Sequence, residues 1–249
     1  QFKLNKGTKI VTNLTGSDFK VLNQYTSEVL QHPLAYAKNP SQQGVFRLIC
    51  KGTAQQATQA MDSVRLQGYE LEVTPKGITI QALTPTGLFY GLQTLRQLEK
   101  DGQIACVKVK DAPRFAYRGL MIDCSRHFWT KDFLKKQIDA MAYFKLDRFH
   151  WHLTDGGGWR MEVKKYPRLT DEASYRTQSD WTKWWMDNDR KYCHKNTPGA
   201  YGGYYTQEDI KDIVRYAAAR HIEVIPEIEM PGHSDEVVYA YPELSCTGK

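Results

Sequence analysis

The chain has 249 residues, a formal net charge of +6, and 41% hydrophobic against 25% charged residues, a balance that excludes a disordered or fibrous chain. Lys and Arg are interspersed with Asp and Glu along most of its length, so no nucleic-acid-binding face is expected. No apolar run reaches the roughly 18 residues a bilayer demands, and the N-terminus lacks the basic-then-apolar layout of a signal peptide, as a mature exported protein also would.

The first 110 or so residues read as a small α+β unit. Val45 to Cys50 is a short apolar strand, and Tyr69 to Val73 with Ile78 to Ala82 forms a hairpin around Thr74-Pro75-Lys76-Gly77. Leu88, Leu92, Leu95 and Leu98 recur at spacings of three and four, which predicts a helix with one apolar stripe against that sheet. Ile104 to Val109 reads as one further strand. Asp111-Ala112-Pro113 interrupts it, because proline lacks the donor a ladder needs. The expected domains are therefore 1–110 and 111–249.

Beyond Pro113 the pattern becomes strand, helix, strand, helix, strand. Gly119 to Asp123 is an apolar run, followed by a helix capped at Thr130 that carries Leu134, Ile138 and Met141 on one face. Leu146 to Leu153 is the second strand and ends in Thr154-Asp155-Gly156-Gly157-Gly158, too glycine-rich to continue either element. An insertion from about Trp159 to Tyr205 carries Trp181, Trp184 and Trp185. Thr206 and Asp209 have the spacing of a capping box ahead of Ile210, Ile213, Val214 and Ala217. Ile222 to Ile228 is the third strand.

The five cysteines, Cys50, Cys106, Cys124, Cys193 and Cys246, show no short paired spacing. Neither a zinc knuckle nor a CxxC redox site is expected, and the odd number leaves at least one thiol unpaired. Cys50, Cys106 and Cys124 stand in apolar stretches and read as inert core thiols.

Repeated β-α-β units call for a parallel sheet covered by helices. Asp123 with Arg126 and His127, His152 with Asp155, and Glu227 with Glu229 and His233 all fall at the C-terminal ends of successive strands. In a (β/α) barrel that face carries the active site. An open doubly wound sheet is the alternative, but no GxGxxG or GxxxxGK[ST] follows any strand. Arg126 could grip a polar ligand through its fork of donors or simply pair with Asp123. Asp155 stands among glycines that let backbone approach a ligand or merely let the chain turn. Glu229 and His233 bracket a Pro-Gly turn within reach of each other, as a functional pair or a capped turn. His127, His152, Asp155 and His233 lack the tight spacing of a metal motif, and no metal is expected. The tryptophans could stack on a sugar or pack the barrel rim. No G-x-S-x-G is present. Paired carboxylates suit glycoside hydrolysis, yet Glu227 with Glu229 and Asp155 with Glu229 are both available pairs. The residues alone lead to a barrel hydrolase of a polar, sugar-like substrate.

Arg118-Gly-Leu-Met-Ile-Asp-Cys-Ser-Arg-His127, Arg148-Phe-His-Trp-His-Leu-Thr-Asp155, Gly158-Trp-Arg-Met-Glu162, Gly203-Tyr-Tyr-Thr-Gln-Glu208, Val224-Ile-Pro-Glu-Ile-Glu-Met-Pro-Gly-His233 and Tyr241-Pro-Glu-Leu-Ser-Cys246 closely resemble, in order, the motifs of family 20 glycoside hydrolases. Gly87-Leu-Phe-Tyr-Gly-Leu-Gln-Thr-Leu95 is similar to that family's N-terminal α+β domain. The resemblance implies a (β/α)8 TIM barrel of which about the first three strands are present, preceded by the small α+β domain. It implies a secreted or periplasmic exo-hydrolase that removes non-reducing terminal β-linked N-acetylglucosamine or N-acetylgalactosamine, a β-N-acetylhexosaminidase.

By that resemblance Arg126 would grip hydroxyls of the terminal sugar, and Asp155, Glu229 and His233 would support the catalytic carboxylates. His152, Glu227, Trp181, Trp184 and Trp185 are further candidates. The family commonly has Asp where Glu229 stands, and Asp-Gln where Gly156-Gly157 stands, which bears on the local loop conformation. The implied mechanism is substrate-assisted: the 2-acetamido oxygen of the sugar attacks the anomeric carbon. An Asp-Glu pair in a His-x-Gly-Gly-Asp-Glu motif serves it, and no such motif occurs in this sequence, so no catalytic carboxylate is assigned here. No cofactor is implied. The barrel would be completed by further sequence, by a second chain generated through cleavage, or by an unusual assembly, since three parallel strands alone leave apolar faces and edges open. Two other activities fit the same pattern: release of a disaccharide such as lacto-N-biose, and noncatalytic carbohydrate binding by the fragment itself.

Overall fold

The computed structural model describes residues 1–4, 8–29, 35–37, 45–52, 64–186 and 190–248. The chain divides into two compact units, one of Gln1–Arg118 with Ala142–Lys145 and Ala219–His221, the other of Gly119–Met141, Leu146–Ala218 and Ile222–Lys249.

The first unit contains β1 (Phe2–Lys3), β2 (Lys9–Thr12), α1 (Gly16–Val29), β3 (Ala35–Tyr36), β4 (Val45–Cys50), β5 (Tyr69–Thr74), β6 (Gly77–Ala82), α2 (Pro85–Leu98), β7 (Glu99–Lys100), β8 (Gln103–Ile104) and β9 (Val107–Asp111). Among the described residues its main sheet has the order β3-β2-β4-β6-β5-β9, parallel from β3 to β6 and antiparallel where the predicted hairpin β5-β6 and then β9 join. α2 starts where Thr84 Oγ1 accepts from Gly87 N at 3.2 Å, with Pro85 in the first turn, whose amide would have had no helical partner anyway. Leu88, Leu92 and Leu95 are buried with Phe46, Leu48, Leu71, Ile78 and Ile80, each such side chain contributing roughly 1.5–3 kcal/mol. Leu98, expected on the same stripe, is 36% exposed at the helix end.

The strand predicted over 104–109 is two strands in two sheets. Ile104 pairs in a small antiparallel sheet of order β1-β8-β7, whereas β9 continues the main sheet against β5. Continuous β-propensity did not reveal the change of partner. Cys106 lies in the link between them and is exposed, so the core-thiol expectation fails there. Cys50 is half-buried, Cys124 is buried, and all five cysteines are free.

The second unit is built on β10 (Gly119–Asp123), β11 (Arg148–His152) and β14 (Glu223–Glu227), parallel in the order β10-β11-β14. The longest helices between these strands in sequence are α3 (Lys131–Tyr143) and α6 (Gln207–Ala218). α3 carries the predicted cap, Phe133 N donating to Thr130 Oγ1 at 3.3 Å. α6 carries the capping box in full: Asp209 N donates to Thr206 Oγ1 at 3.1 Å and Thr206 N to Asp209 Oδ2 at 3.1 Å, so Asp replaces Glu without loss of reciprocity. Phe149 and Trp151 point to the buried face of the sheet, with Leu134, Ile138, Met141 and Ile213 also buried. The alternate residues, Met121, His150 and Ile225, fall together on the opposite face, where Met121 is 52% exposed.

The insertion after β11 contributes α4 (Arg168–Asp171), β12 (Tyr175–Arg176), α5 (Trp181–Met186) and β13 (Tyr201–Gly202), with β12 and β13 paired antiparallel. Its residues 187–189 lie outside the described residues. α7 (Asp235–Ala240) follows β14. No helix among the described residues is long and apolar enough to cross a membrane.

Candidate active site

Strand register alone assembles the site. Asp123, His152 and Glu227 occupy one row across β10, β11 and β14, each the last residue of its strand. Side chains of one row share a face in a parallel sheet, so three polar groups read from three separate motifs converge.

Asp123 holds the chain that follows it. Its Oδ1 accepts from Ser125 N at 2.9 Å and Arg126 N at 3.0 Å, and its Oδ2 takes Arg126 Nη1 at 2.7 Å. The guanidinium then reaches Asp155, Nη2 to Oδ2 at 2.7 Å, and Nη1 lies 3.2 Å from His152 Nε2. Arg126 thus makes the anticipated salt bridge to Asp123 and a second one to Asp155. Its side chain remains 31% accessible.

Asp155 is the hub. Its side chain is 5% accessible; Oδ2 is met by Arg126, by His233 Nδ1 at 3.0 Å and by His152 Nε2 at 3.2 Å, while Oδ1 accepts from Gly156 N at 2.7 Å. A carboxylate this buried requires such partners, since an unpaired one would cost several kcal/mol. His233 adopts a left-handed backbone, φ 52°, which a non-glycine residue rarely does, and from there it reaches Asp155. The sequence suggested pairing His233 with Glu229, but among the described residues His233 pairs with Asp155. Glu229 instead takes its amide to Thr154 Oγ1 at 2.8 Å and lies beside Glu227.

One oxygen of Glu227, Oε2, lies 2.6 Å from His150 Nε2 and 2.5 Å from His152 Nδ1. Burial pushes the Glu227 carboxyl up, but hydrogen bonding to His152, Glu229 and His150 outweighs it and holds the group below the usual glutamate range. Among the described residues only His152, Glu227 and Glu229 could bring three ligand atoms to a metal ion, all within 4.8 Å. His152 Nδ1 and Glu227 Oε2 already meet in a hydrogen bond of 2.5 Å. His127, another metal candidate, stands apart, its Nδ1 2.8 Å from Tyr201 Oη.

Every carbonyl from Asp155 to Gly158 accepts a hydrogen bond. The carbonyl of Asp155 accepts from Gly158 N, that of Gly156 from Tyr192 Oη at 2.6 Å, and the single proton of Ser125 Oγ is shared between the carbonyls of Asp155 at 2.9 Å and Gly158 at 3.0 Å. The departure from Asp-Gln has a physical counterpart. A Cβ at Gly157 would lie 2.8 Å from Arg126 Cα, and one at Gly156 would lie 3.2 Å from Asp235 Oδ2. A larger side chain at Gly157 would push away the backbone that carries Arg126, and one at Gly156 would press on the Asp235 carboxylate.

Trp184 is a core residue, 2% exposed, with its Nε1 donating to Lys191 O at 3.1 Å, so the sugar-stacking expectation fails for it. Trp181 is half-buried and Trp185 is 40% exposed; their rings lie 5.3 Å apart, and Arg190 covers Trp185 at 3.9 Å. Sequence reasoning missed Arg160 and Arg176, both fully buried. It also missed Glu236, fully buried, whose carboxylate oxygens meet no donor from another residue among the described residues.

Burial, reinforced by the charges of Asp155 and Asp235, pushes the Glu236 carboxyl up to about 8. The folded protein therefore keeps a proton that the unfolded chain releases above about 4.5. Between those values the native state binds more protons, so this group's contribution falls as pH rises from 4.5 to 8 and stays lost above. Glu236→Gln, which keeps the shape without the charge, should stabilise the protein by about 3 kcal/mol at pH 7 and have little effect near pH 5. Urea midpoints at pH 5, 7 and 9 check this; parallel profiles for variant and wild type would refute it.

Residues 115–249 match the family model described as "Glycosyl hydrolase family 20, catalytic domain", and residues 1–112 match "Glycosyl hydrolase family 20, domain 2". The chain is 45% identical over 191 residues to a beta-hexosaminidase of Porphyromonas gingivalis, covering 72% of this chain and 22% of that protein. A solved exo beta-N-acetylglucosaminidase of Vibrio harveyi, in complex with N-acetylglucosamine, superposes with a TM-score of 0.75 at 32% identity, covering 98% of this chain and 36% of that one. A beta-N-acetylhexosaminidase from Bacteroides fragilis gives 0.75 at 30% identity, covering 98% and 45%. The chain thus spans less than half the length of each of these relatives. With both family models matched in order over almost its whole length, the chain belongs to glycosyl hydrolase family 20.

Proposed function

We propose that this chain is the front portion of a (β/α)8-barrel exo-β-N-acetylhexosaminidase that removes terminal N-acetylglucosamine or N-acetylgalactosamine from glycans outside the cytoplasm. The observation that carries the reading is the convergence of Arg126, His152 and His233 on one oxygen of Asp155 at the ends of parallel strands. Arg126 is held by two carboxylates yet partly open, as a residue must be to offer a rigid donor fork to sugar hydroxyls. Asp155 and His233 would orient a catalytic carboxylate supplied by the rest of the barrel, in the same chain or a cleaved partner chain. The half-exposed sheet face around Met121, His150 and Ile225 is the surface such a remainder would cover.

Chemistry would follow the substrate-assisted route: the acetamido oxygen attacks the anomeric carbon, the glycosidic oxygen leaves with a proton from the general acid, and water then opens the cyclised intermediate with retention. No metal or organic cofactor is needed for these steps. Full-length protein should release 4-nitrophenol from the β-N-acetylglucosaminide or the β-N-acetylgalactosaminide. Release from a lacto-N-bioside alone would replace this reading by disaccharide release, and binding of N-acetylglucosamine without turnover by a noncatalytic one.

A further inference from the structure

Arg176 lies in β12, within the insertion, and is fully buried. Among the described residues it makes no ion pair with a carboxylate. Its donors go to main-chain carbonyls instead: Nε to Gln178 at 2.7 Å, Nη1 to Gly157 at 3.2 Å, and Nη2 to Ser179 at 2.9 Å and Arg126 at 2.9 Å. Its guanidinium lies 5.5 Å from the Trp181 ring, 5.6 Å from Trp184 and 4.9 Å from Tyr201. Aromatic faces attract the cation where burial would otherwise repel it. The same Trp181 ring lies 6.0 Å from the Arg126 guanidinium.

Arg126 is therefore fixed from both ends. Asp123 takes its amide, Arg176 takes its carbonyl, and Gly157 approaches so closely that a Cβ there would lie 2.8 Å from its Cα. A fork aimed at sugar hydroxyls loses its use if its backbone shifts by a fraction of an ångström. We propose that the tryptophan-bearing insertion is a positioning device. In it Arg176, clamped by Trp181 and Trp184, pins the Arg126 and Gly157 carbonyls so that Arg126 and Asp155 are set before the sugar arrives. Arg176 acts through Arg126 and does not touch the substrate. The inference rests on the hexosaminidase reading for its kinetic consequence but not for its structural one.

The test is Arg176→Lys in the full-length protein, with Trp181→Leu as a second variant in case the first fails to fold. Lysine keeps the charge but cannot span the four carbonyls. Each variant should raise KM for the β-N-acetylglucosaminide roughly tenfold with kcat changed by less than about threefold, because the lost contact serves the bound sugar in ground and transition state alike. In an Arg126→Ala background Arg176→Lys should cost nothing further. Effects that multiply in the double variant, or a lowered melting temperature with unchanged KM, overturn the proposal. Amide exchange adds a readout independent of turnover: Ser125, Arg126 and Gly158 should lose protection while β11 keeps it. If the wild-type protein does not hydrolyse the substrate, the hexosaminidase reading fails, and unchanged protection at these amides would by itself overturn the positioning role.

Discussion

Replacing Arg160 by methionine should destabilise the protein by roughly 3 kcal/mol, and replacing it by lysine should be no better. Arg160 is completely buried and spreads its donors over the carbonyls of Cys124 at 2.9 Å, Gly203 at 3.0 Å, Ser125 at 2.6 Å, Gly157 at 3.2 Å and Ser174. Ser174 O keeps the Gly203 amide and Gly157 O keeps Arg176 when Arg160 is removed. The carbonyls of Cys124, Ser125 and Gly203 retain no other donor among the described residues, at about 1–3 kcal/mol each. Against this stands the charge itself. Burial, and after it the neighbouring Arg176 cation, pull Arg160 down to about 10 from 12.5, and relief of that strain offsets roughly 3 kcal/mol. The difference leaves methionine worse than arginine, with a melting temperature lower by roughly 6–12 °C. Lysine keeps the desolvated charge and loses the fork, so the fork and not the charge should prove stabilising. A lysine variant that melts within a degree or two of wild type would reverse this conclusion.

The largest effect on activity is expected from Arg126→Ala, a loss of about 10³ in kcat/KM, with Arg126→Lys losing about 10 to 100. A hydrogen bond from a charged donor contributes about 1.5–3 kcal/mol, so losing about two such bonds from the Arg126 fork to the sugar hydroxyls accounts for a loss of this size, and Asp123 and Asp155 lose their cation as well. Lysine retains the charge but cannot hold both carboxylates and also face a sugar. Initial rates on the chromogenic β-N-acetylglucosaminide measure both variants. A loss under tenfold for alanine would mean that Arg126 serves only as a salt bridge.

Legibility followed the kind of interaction. β10, β11, β14, α2, α3 and α6 were readable because burial imposes a period on side chains and because Thr130, Thr206 and Asp209 stand at capping offsets. β1, β2, β3 and α1 were not read: the strands have two to four residues each, and the stripe of α1, Phe19, Leu22, Tyr25 and Val29, was overlooked although it has helical spacing. Strand ends gave Arg126, Asp155 and His233 as candidates. The sequence could not show that His233 reaches Asp155 and not Glu229, because a left-handed histidine decides it. Arg160 and Arg176 escaped notice for a deeper reason. Their partners are carbonyl oxygens from segments up to 50 positions away, and residue identity says nothing about where a carbonyl points.

The most direct test of the account compares, for the full-length protein, hydrolysis of 4-nitrophenyl β-N-acetylglucosaminide with that of 4-nitrophenyl β-glucoside, which differs only in bearing a 2-hydroxyl in place of the acetamido group. If the site belongs to a substrate-assisted hexosaminidase, the first is cleaved and the second is not, since the nucleophile itself is missing. Comparable cleavage of both, or of the glucoside alone, would contradict the account.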